Sequence, residues 1–229
     1  MSTIPISWAC WYLTEVEGIE WRDMDYTAWK IVKAVKGEPI KGHFEIIMSA
    51  GKQPRRFDQG NVQEFVQELT GAIGRKLRKT YGDGSKISLV PIPNSDAVAP
   101  SAVACRTDEL AKQIAGGFGD GAVVEPLIRW KAARSPQHKS AGRRYPDQFQ
   151  EQMILLGKPK HSVVLFDDVM TSGSQLIAGA RLLAEAGYQP ARAIVVGRVT
   201  KTQEEKMVGW GSGELRIGRE TIDASDIEF

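Results

Sequence analysis

The chain has 229 residues, of which 42% are hydrophobic and 25% are charged, and its formal net charge is +2. These values are typical of a globular protein and exclude a disordered, low-complexity or generally polycationic chain. Its two cysteines are too few for a four-cysteine zinc site or a disulfide scaffold, which favours a reducing, cytoplasmic setting. No run approaches the ~20 apolar residues of a membrane span, so we predict no membrane partner.

The N-terminal stretch is rich in aromatic residues. Four tryptophans lie in it: Trp8, Trp11, Trp21 and Trp29. Residues 3–13 are uncharged but have no basic residue before them and run into Glu15 and Glu17, which predicts a strand and not an export signal. Rings at this density usually cover a core or close a small sheet, and the alternative is a flat ligand stacked on them. We predict an aromatic-rich N-terminal hood over residues 1–60.

From residue 61 the pattern alternates between helical and extended segments. Asn61 with Glu64 predicts a capping box at the start of an amphipathic helix. Strands are predicted at 87–93, 123–127, 162–166 and 193–196, helices at 101–114 and 175–186, and irregular segments at 52–56 and 129–147. Buried strands interleaved with helices predict an α/β core with a parallel sheet flanked by helices over residues 61–200, followed by a C-terminal extension at 201–229.

One segment carries most of the chemical information. An apolar strand is followed by two acids and a turn of small hydroxylic residues: Asp167, Asp168, Val169, Met170, Thr171, Ser172, Gly173, Ser174 and Gln175. Ligands of open α/β sheets collect at the carboxyl ends of strands, and turn amides at a helix N-terminus form an anion cradle. A ribose phosphate suits both halves, since carboxylates accept from its hydroxyls while the turn holds its phosphate.

Three other interpretations of this segment exist. A strand ending in two acids resembles a Walker B strand, but the sequence has no Gly-x-x-x-x-Gly-Lys-Ser/Thr loop. Paired glycosidase carboxylates are disfavoured because successive strand residues point to opposite faces. A pair of helix-capping acids would not require the Thr171–Ser174 sequence that follows.

The segment resembles the phosphoribosyl-pyrophosphate (PRPP) motif of type I phosphoribosyltransferases, with Ser172 in place of a threonine and Gln175 in place of the last hydroxylic residue. Together with Leu89–Pro93, Pro136-Gln137 and Gly187-Tyr188, it is similar to the ComF-like, amidophosphoribosyltransferase-like branch. Many members of that branch have an N-terminal four-cysteine zinc ribbon, which this sequence lacks.

The resemblance implies roles for further residues. The loop after the 87–93 strand would contact pyrophosphate through Pro93, Asn94, Ser95 and Asp96. The basic segment 129–144 would be a mobile catalytic loop, whose candidates are Arg134, Lys139, Arg143 and Arg144. Arg198 would lie where the acceptor pocket of this fold is found, and it would either hold the acceptor or only complete the 193–196 strand. The resemblance also implies Mg²⁺, PRPP or a nucleotide monophosphate as ligand, and a homodimer, with no residue assigned as a direct metal ligand.

Two functions therefore remain as hypotheses. The first is a glycosyltransferase that moves a 5-phosphoribosyl group from PRPP to a nitrogen nucleophile, either a base or an amine. The second is a non-catalytic PRPP or nucleotide sensor, or a protein of competence, DNA handling or defence, which would bind nucleic acid through segment 129–144.

Overall fold

A computed structural model of the chain describes residues 3–14, 18–48, 52–100, 103–133 and 145–218. The strands within these residues are β1 Thr3–Leu13, β2 His43–Ile46, β3 Arg55–Asp58, β4 Ile87–Pro91, β5 Ala122–Val124, β6 Ile128–Trp130, β7 Met153–Leu155, β8 Ser162–Met170, β9 Arg192–Thr200 and β10 Val208–Arg216. The helices are α1 Asp23–Val35, α2 Val62–Tyr81, α3 Arg106–Phe118, α4 Pro146–Gln152 and α5 Ser174–Glu185. None of these helices combines the length and apolar character needed to cross a membrane.

The central sheet has six strands in the order β10-β1-β9-β8-β4-β5. All are parallel except β10, which runs antiparallel along β1. The pairs β2–β3 and β6–β7 form two small antiparallel sheets. The predicted α/β fold with a mostly parallel sheet is confirmed. β1 and β10 are strands of this same sheet, while the division at residues 60 and 200 stays a prediction.

Alternate residues of the sheet strands face two hydrophobic layers. On one face, α1, α2 and α3 pack on residues such as Leu89, Val164 and Phe166. On the other face, α5 packs on residues such as Val163 and Leu165. Side chains of this kind contribute roughly 1.5–3 kcal/mol each when fully buried, so both layers stabilise the sheet that carries the site. The prediction that N-terminal rings cover a core is confirmed by Trp8, which is 4% exposed.

Helices α2 and α3 cross with their backbones almost in contact. A Cβ atom on Gly74 would lie 2.0 Å from the carbonyl oxygen of Ile114, and one on Gly117 would lie 2.3 Å from that of Gly71. These positions require glycine because contacts under 3 Å to backbone atoms cannot be relieved by a side-chain rotation. The close approach fixes α3, whose N-terminus borders the site described below.

The sequence pattern does not reveal α1, and the capping box of α2 does not form. Helix α1 begins after Arg22, which bonds to Asp25 instead of a hydroxylic cap. Asn61 accepts a hydrogen bond from the backbone of Asp58 at 2.8 Å, so its side chain turns back to the preceding strand. Glu64 pairs with Arg55 at 3.4 Å and is not available to the cap.

Three predicted boundaries are also wrong. Helix α3 begins at Arg106 and not at residue 101, because Cys105 occupies its N-cap and its backbone N–H donates to the Asp108 carboxylate at 3.0 Å. The irregular segment 52–56 overlaps β3, in which Phe57 pairs with Phe44. The irregular segment 129–147 overlaps β6 at one end and α4 at the other.

Candidate active site

The candidate site lies where the chain changes direction across the sheet. From β4 the chain continues to β5 on one side, and from β8 it continues to β9 on the other side. Strands β4 and β8 are parallel neighbours, so their carboxyl ends open at the same edge. Crevices at such switch points are the usual ligand sites of open α/β sheets.

Strand β8 projects beyond β4 and carries both acids to this crevice. Its pairing with β4 ends at Phe166, while its pairing with β9 continues to Met170. The strand is therefore longer than the predicted 162–166, because Val169 and Met170 also pack against the two hydrophobic layers. Asp167 and Asp168 are therefore residues of strand β8 itself and do not belong to the loop that follows it.

The two carboxylates have different surroundings. Asp168 forms an ion pair with Arg106 at the first position of α3. Asp167 has no ion-pair partner among the described residues, and its Oδ1 accepts a hydrogen bond from the backbone N–H of Asp168 at 2.8 Å. Burial raises the pKa of Asp167 well above its ordinary value, and the neighbouring charge of Asp168 raises it further. Asp167 is thus a buried acid whose side chain has no cationic partner within the described part of the chain.

The turn after β8 keeps its backbone donors available. Gly173 has φ 77° and ψ 0°, the left-handed conformation that glycine adopts at no steric cost, and α5 begins directly after it. Ser174 N–H reaches Ser172 Oγ only at 3.4 Å. No described residue accepts a hydrogen bond from the backbone N–H of Thr171, Ser172, Gly173 or Gln175. The turn therefore has the donors of an anion cradle at the positive end of α5.

The loop after β4, which includes the four residues predicted to contact pyrophosphate, is tied to α3 and β6. The side-chain oxygen of Asn94 accepts from the backbone N–H of Thr107 at 2.9 Å and so caps α3. The carbonyl oxygens of Pro93 and Asn94 both accept from the indole N–H of Trp130. Ser95 is half-buried and Asp96 is exposed. These bonds fix the loop beside the crevice, and its contact with pyrophosphate stays a prediction.

The basic segment contains one arginine that is not a free cation. Arg129 lies on β6 and pairs with Asp108 at 2.7 Å, with both side chains 3% exposed. It therefore holds β6 to α3, and the prediction that the whole segment 129–144 is a mobile loop is wrong at this end. The four catalytic candidates lie outside the described residues: Arg134, Lys139, Arg143 and Arg144.

Arg106 is the site residue that the sequence did not reveal. Its guanidinium bridges the carboxylate of Asp168 and the carbonyl oxygen of Lys36, the latter at 2.7 Å. The predicted helix start at residue 101 placed Arg106 inside a helix, away from its end. The spacing of Cys105 and Asp108 was the available signal, because an acid three residues after an N-cap marks a helix start.

Arg198 packs against two tryptophan rings that also contact each other, with their centroids 4.8 Å apart and their planes tilted by 60°. Its guanidinium carbon lies 4.5 Å from the ring centroid of Trp8 and 5.2 Å from that of Trp11. Residues 8 and 11 would face opposite sides of a regular strand, but the pairing of β1 shifts between Trp8 and Cys10, and both rings pack on the α5 face. Arg198 lies opposite Met170 across the β8–β9 pairing, one strand away from the turn.

Among the described residues, no group of three or more histidine, cysteine, aspartate or glutamate side chains is placed to hold a metal ion. A cation bound at this edge would therefore depend on Asp167 and Asp168 together with ligand oxygens and water. Mg²⁺ is commonly bound in this way, through one or two carboxylates and substrate phosphates. The two carboxylates fit that pattern.

Comparisons with known proteins find similarity to solved structures but to no family model and no curated protein. A scan against protein-family models and a search of curated proteins both find no match. A hypoxanthine phosphoribosyltransferase from Staphylococcus aureus is 13% identical, with a TM-score of 0.37 over 64% of this chain and 71% of that one. An adenine phosphoribosyltransferase from Saccharomyces cerevisiae is 12% identical, with a TM-score of 0.39 over 74% and 88%.

An orotate phosphoribosyltransferase from Aeropyrum pernix is also similar, at 15% identity and a TM-score of 0.37 over 75% of this chain and 83% of that one. Likenesses at this level of identity and TM-score leave the activity of this chain to be argued from its own residues.

Proposed function

We propose that this chain is a phosphoribosyltransferase that uses PRPP to attach a 5-phosphoribosyl group to a nitrogen nucleophile. The observation that carries the proposal is the end of β8, where two buried acids precede a turn with uncommitted backbone N–H groups. A sugar phosphate presents hydroxyl donors and a phosphate anion, which are the groups that these acids and this turn can bind. The ComF-like branch of the type I family is the part of this proposal that rests on sequence resemblance.

The roles follow from the chemistry of each group. Asp167 and Asp168 accept hydrogen bonds from the two ribose hydroxyls, and the turn 171–175 donates to the 5′-phosphate. The loop 93–96 and the basic residues of 134–144 bind the pyrophosphate. When bound, Mg²⁺ offsets the charge of the pyrophosphate, and Asp167 and Asp168 are the side chains that would face it.

Transfer replaces one bond at the ribose C1 carbon with another. The bond from C1 to the pyrophosphate oxygen breaks with both electrons leaving on the pyrophosphate, and the nucleophile nitrogen bonds to C1 from the opposite face and then loses its proton. Cationic side chains of 134–144 stabilise the leaving group, and closure over the site excludes water that would hydrolyse the sugar.

Ligand binding would change the state of both acids. A ribose hydroxyl donates to a carboxylate, so binding favours the ionised form of Asp167 and opposes the rise in its pKa that burial causes. Asp168 would share its oxygens between Arg106 and the ligand, or exchange one for the other. A lower pKa of Asp167 in the complex than in the free protein is thus an expected signature of this site.

The alternative is a protein that binds PRPP or a nucleotide without turnover. Gln175 favours it, because the last hydroxylic residue of the motif is replaced by a half-buried amide and one phosphate contact changes. In that case PRPP would bind with the same residues while no pyrophosphate is released.

Isothermal titration with PRPP and Mg²⁺ tests the proposal. Asp168→Asn should weaken PRPP binding while leaving the fold intact, and Asp120→Asn is a matched control because Asp120 is exposed near the opposite edge of the sheet. A pyrophosphate-release assay with a panel of bases and amines then separates enzyme from sensor. Equal PRPP affinities of wild type and Asp168→Asn would contradict the assignment of the ribose site.

A further inference from the structure

Trp130 in β6 holds the loop after β4 at both of its ends. Its indole N–H donates to the carbonyl oxygens of Pro93 at 3.2 Å and Asn94 at 2.8 Å, where the loop begins. Its backbone N–H donates to the carbonyl oxygen of Ala97 at 3.0 Å, and its own carbonyl oxygen accepts from the N–H of Ala99 at 2.9 Å, where the loop ends. Hydrogen bonds from this one residue therefore set the path of the whole loop.

The side chain that anchors the loop is itself held firmly. Trp130 is 1% exposed, and its ring centroid lies 6.1 Å from that of Phe149 on α4. The preceding residue, Arg129, forms the buried ion pair with Asp108 of α3. An indole N–H is a single donor that one acceptor satisfies. The convergence of two successive carbonyl oxygens on it is thus an additional constraint on the loop.

The two anchored carbonyl groups determine where the neighbouring N–H groups point. The peptide bonds that follow Pro93 and Asn94 are trans, and in a planar trans peptide the C=O and N–H groups point in opposite directions. The N–H groups of Asn94 and Ser95 therefore point away from Trp130. No described residue accepts a hydrogen bond from either of them. Successive backbone N–H groups of this kind form a concave site for an anion.

We propose that Trp130 is a positioning residue for pyrophosphate binding and that it acts through the backbone N–H groups of Asn94 and Ser95. This inference rests on the proposed function, in which the loop 93–96 binds the pyrophosphate of PRPP. It adds the residue outside the loop that sets the shape of the loop. A loop already held in its binding shape loses little conformational freedom when the ligand binds, so Trp130 raises the affinity without touching the ligand.

The variant Trp130→Phe tests this role, because it removes the indole N–H and keeps an aromatic ring. Each protein is titrated calorimetrically with pyrophosphate and, separately, with ribose 5-phosphate, in both cases with Mg²⁺ present. The affinity for pyrophosphate should fall about tenfold or more, the scale expected when a binding group is displaced. The affinity for ribose 5-phosphate should change by less than about twofold, because its phosphate binds to the turn 171–175 and not to this loop. A merely structural role would lower both affinities together.

The variant Trp8→Phe is the matched control. Trp8 packs in the same hydrophobic layer as Trp130 and is 4% exposed, but its indole N–H has no acceptor among the described residues. Both variants remove the same atoms from this layer, and only Trp130→Phe breaks hydrogen bonds to the loop. Trp8→Phe should therefore keep the wild-type affinity for pyrophosphate. Thermal unfolding of each variant confirms that it is folded.

A measurement on the wild-type protein decides the matter if Trp130→Phe does not fold. In ¹⁵N NMR spectra, pyrophosphate should shift the indole signal of Trp130 and the backbone signals of Asn94 and Ser95 in a saturable manner. Ribose 5-phosphate should leave these signals unmoved. Signals that do not respond to pyrophosphate would contradict the proposed role of Trp130.

The outcomes are separable from those of the proposed function. The inference is overturned if wild type does not bind pyrophosphate, if Trp130→Phe binds it as tightly as wild type, or if that variant loses affinity for both ligands equally. An equal loss of pyrophosphate affinity in Trp8→Phe also overturns it. A chain that binds pyrophosphate in a Trp130-dependent way but binds neither ribose 5-phosphate nor PRPP would contradict the proposed function and support the role of Trp130.

Discussion

Replacing Asp167 with asparagine should stabilise the ligand-free protein. Burial and the charge of Asp168 raise the pKa of Asp167, so the folded protein favours the neutral acid. Asparagine has nearly the same shape as the neutral acid, and its oxygen can still accept from the backbone N–H of Asp168. The variant therefore keeps the hydrogen bond and removes the buried charge.

The sign of the pH dependence follows from linkage. A carboxyl whose folded pKa is raised contributes stability that is complete below its unfolded pKa and is lost as the pH rises through its folded pKa. Asp167→Asn has no such loss. The difference in the free energy of unfolding between variant and wild type should therefore be small at acidic pH and should grow as the pH rises.

The expected size is about 1–3 kcal/mol above the folded pKa, the usual cost of an uncompensated buried polar group. Each kcal/mol corresponds to about 2–4 °C in Tm for a chain of this length. Urea and thermal unfolding across a pH series measure this difference in the free energy of unfolding.

Asp168→Asn is the matched control. Its carboxylate is paired with the half-exposed Arg106, so that variant should lose up to about 1 kcal/mol of stability. If Asp167→Asn is less stable than wild type at alkaline pH, or the difference does not change with pH, the assignment of Asp167 as a buried acid with a raised pKa is wrong.

Three further changes test the scaffold around the site. Gly74→Ala should lower the free energy of unfolding by about 1–3 kcal/mol or more, because its Cβ would meet the Ile114 carbonyl. The control Gly116→Ala has nothing within 4 Å of its Cβ and should be neutral or stabilising by up to about 1 kcal/mol. Urea unfolding of the two variants measures this difference. Arg129→Met should destabilise by about 3–5 kcal/mol, since it leaves Asp108 buried without its cation, and a near-wild-type Tm would contradict the importance of that pair. Burial raises the pKa of the Cys10 thiol to about 12, so a thiol reagent at pH 8 should modify it only after denaturant is added. Mass spectrometry identifies the labelled cysteine. Rapid labelling of Cys10 in the native protein would show that the layer beneath β1 is open to solvent.

The core strands could be predicted because they are continuously apolar. Segments such as 162–166 and 193–196 are buried on both faces of a parallel sheet, and that environment favours apolar residues at successive positions. The turn that contains Gly173 and the helix after it were predictable for a similar reason, since the turn chemistry is local in sequence.

The remaining features depend on contacts between distant residues. The start of α1 is held by Arg22 and Asp25 and not by a usual capping residue, so the sequence gives little sign of it. Arg106 and Arg129 are ordinary basic residues in the sequence, and only the fold shows that each is paired with an acid from another element. The stacking of Arg198 on Trp8 and Trp11 requires an irregular pairing in β1, which no local pattern encodes.

The central claim is that the turn after β8 holds a sugar phosphate, and amide NMR tests it most directly. Uniformly ¹⁵N-labelled protein is titrated with ribose 5-phosphate and then with PRPP and Mg²⁺, with sodium chloride at matched ionic strength as the control for general ionic effects. The largest and saturable shifts should fall on the backbone N–H signals of Thr171, Ser172, Gly173 and Gln175, whose donors have no acceptor within the described residues of the ligand-free protein. Saturable shifts elsewhere, with these four signals unmoved, would contradict the claim.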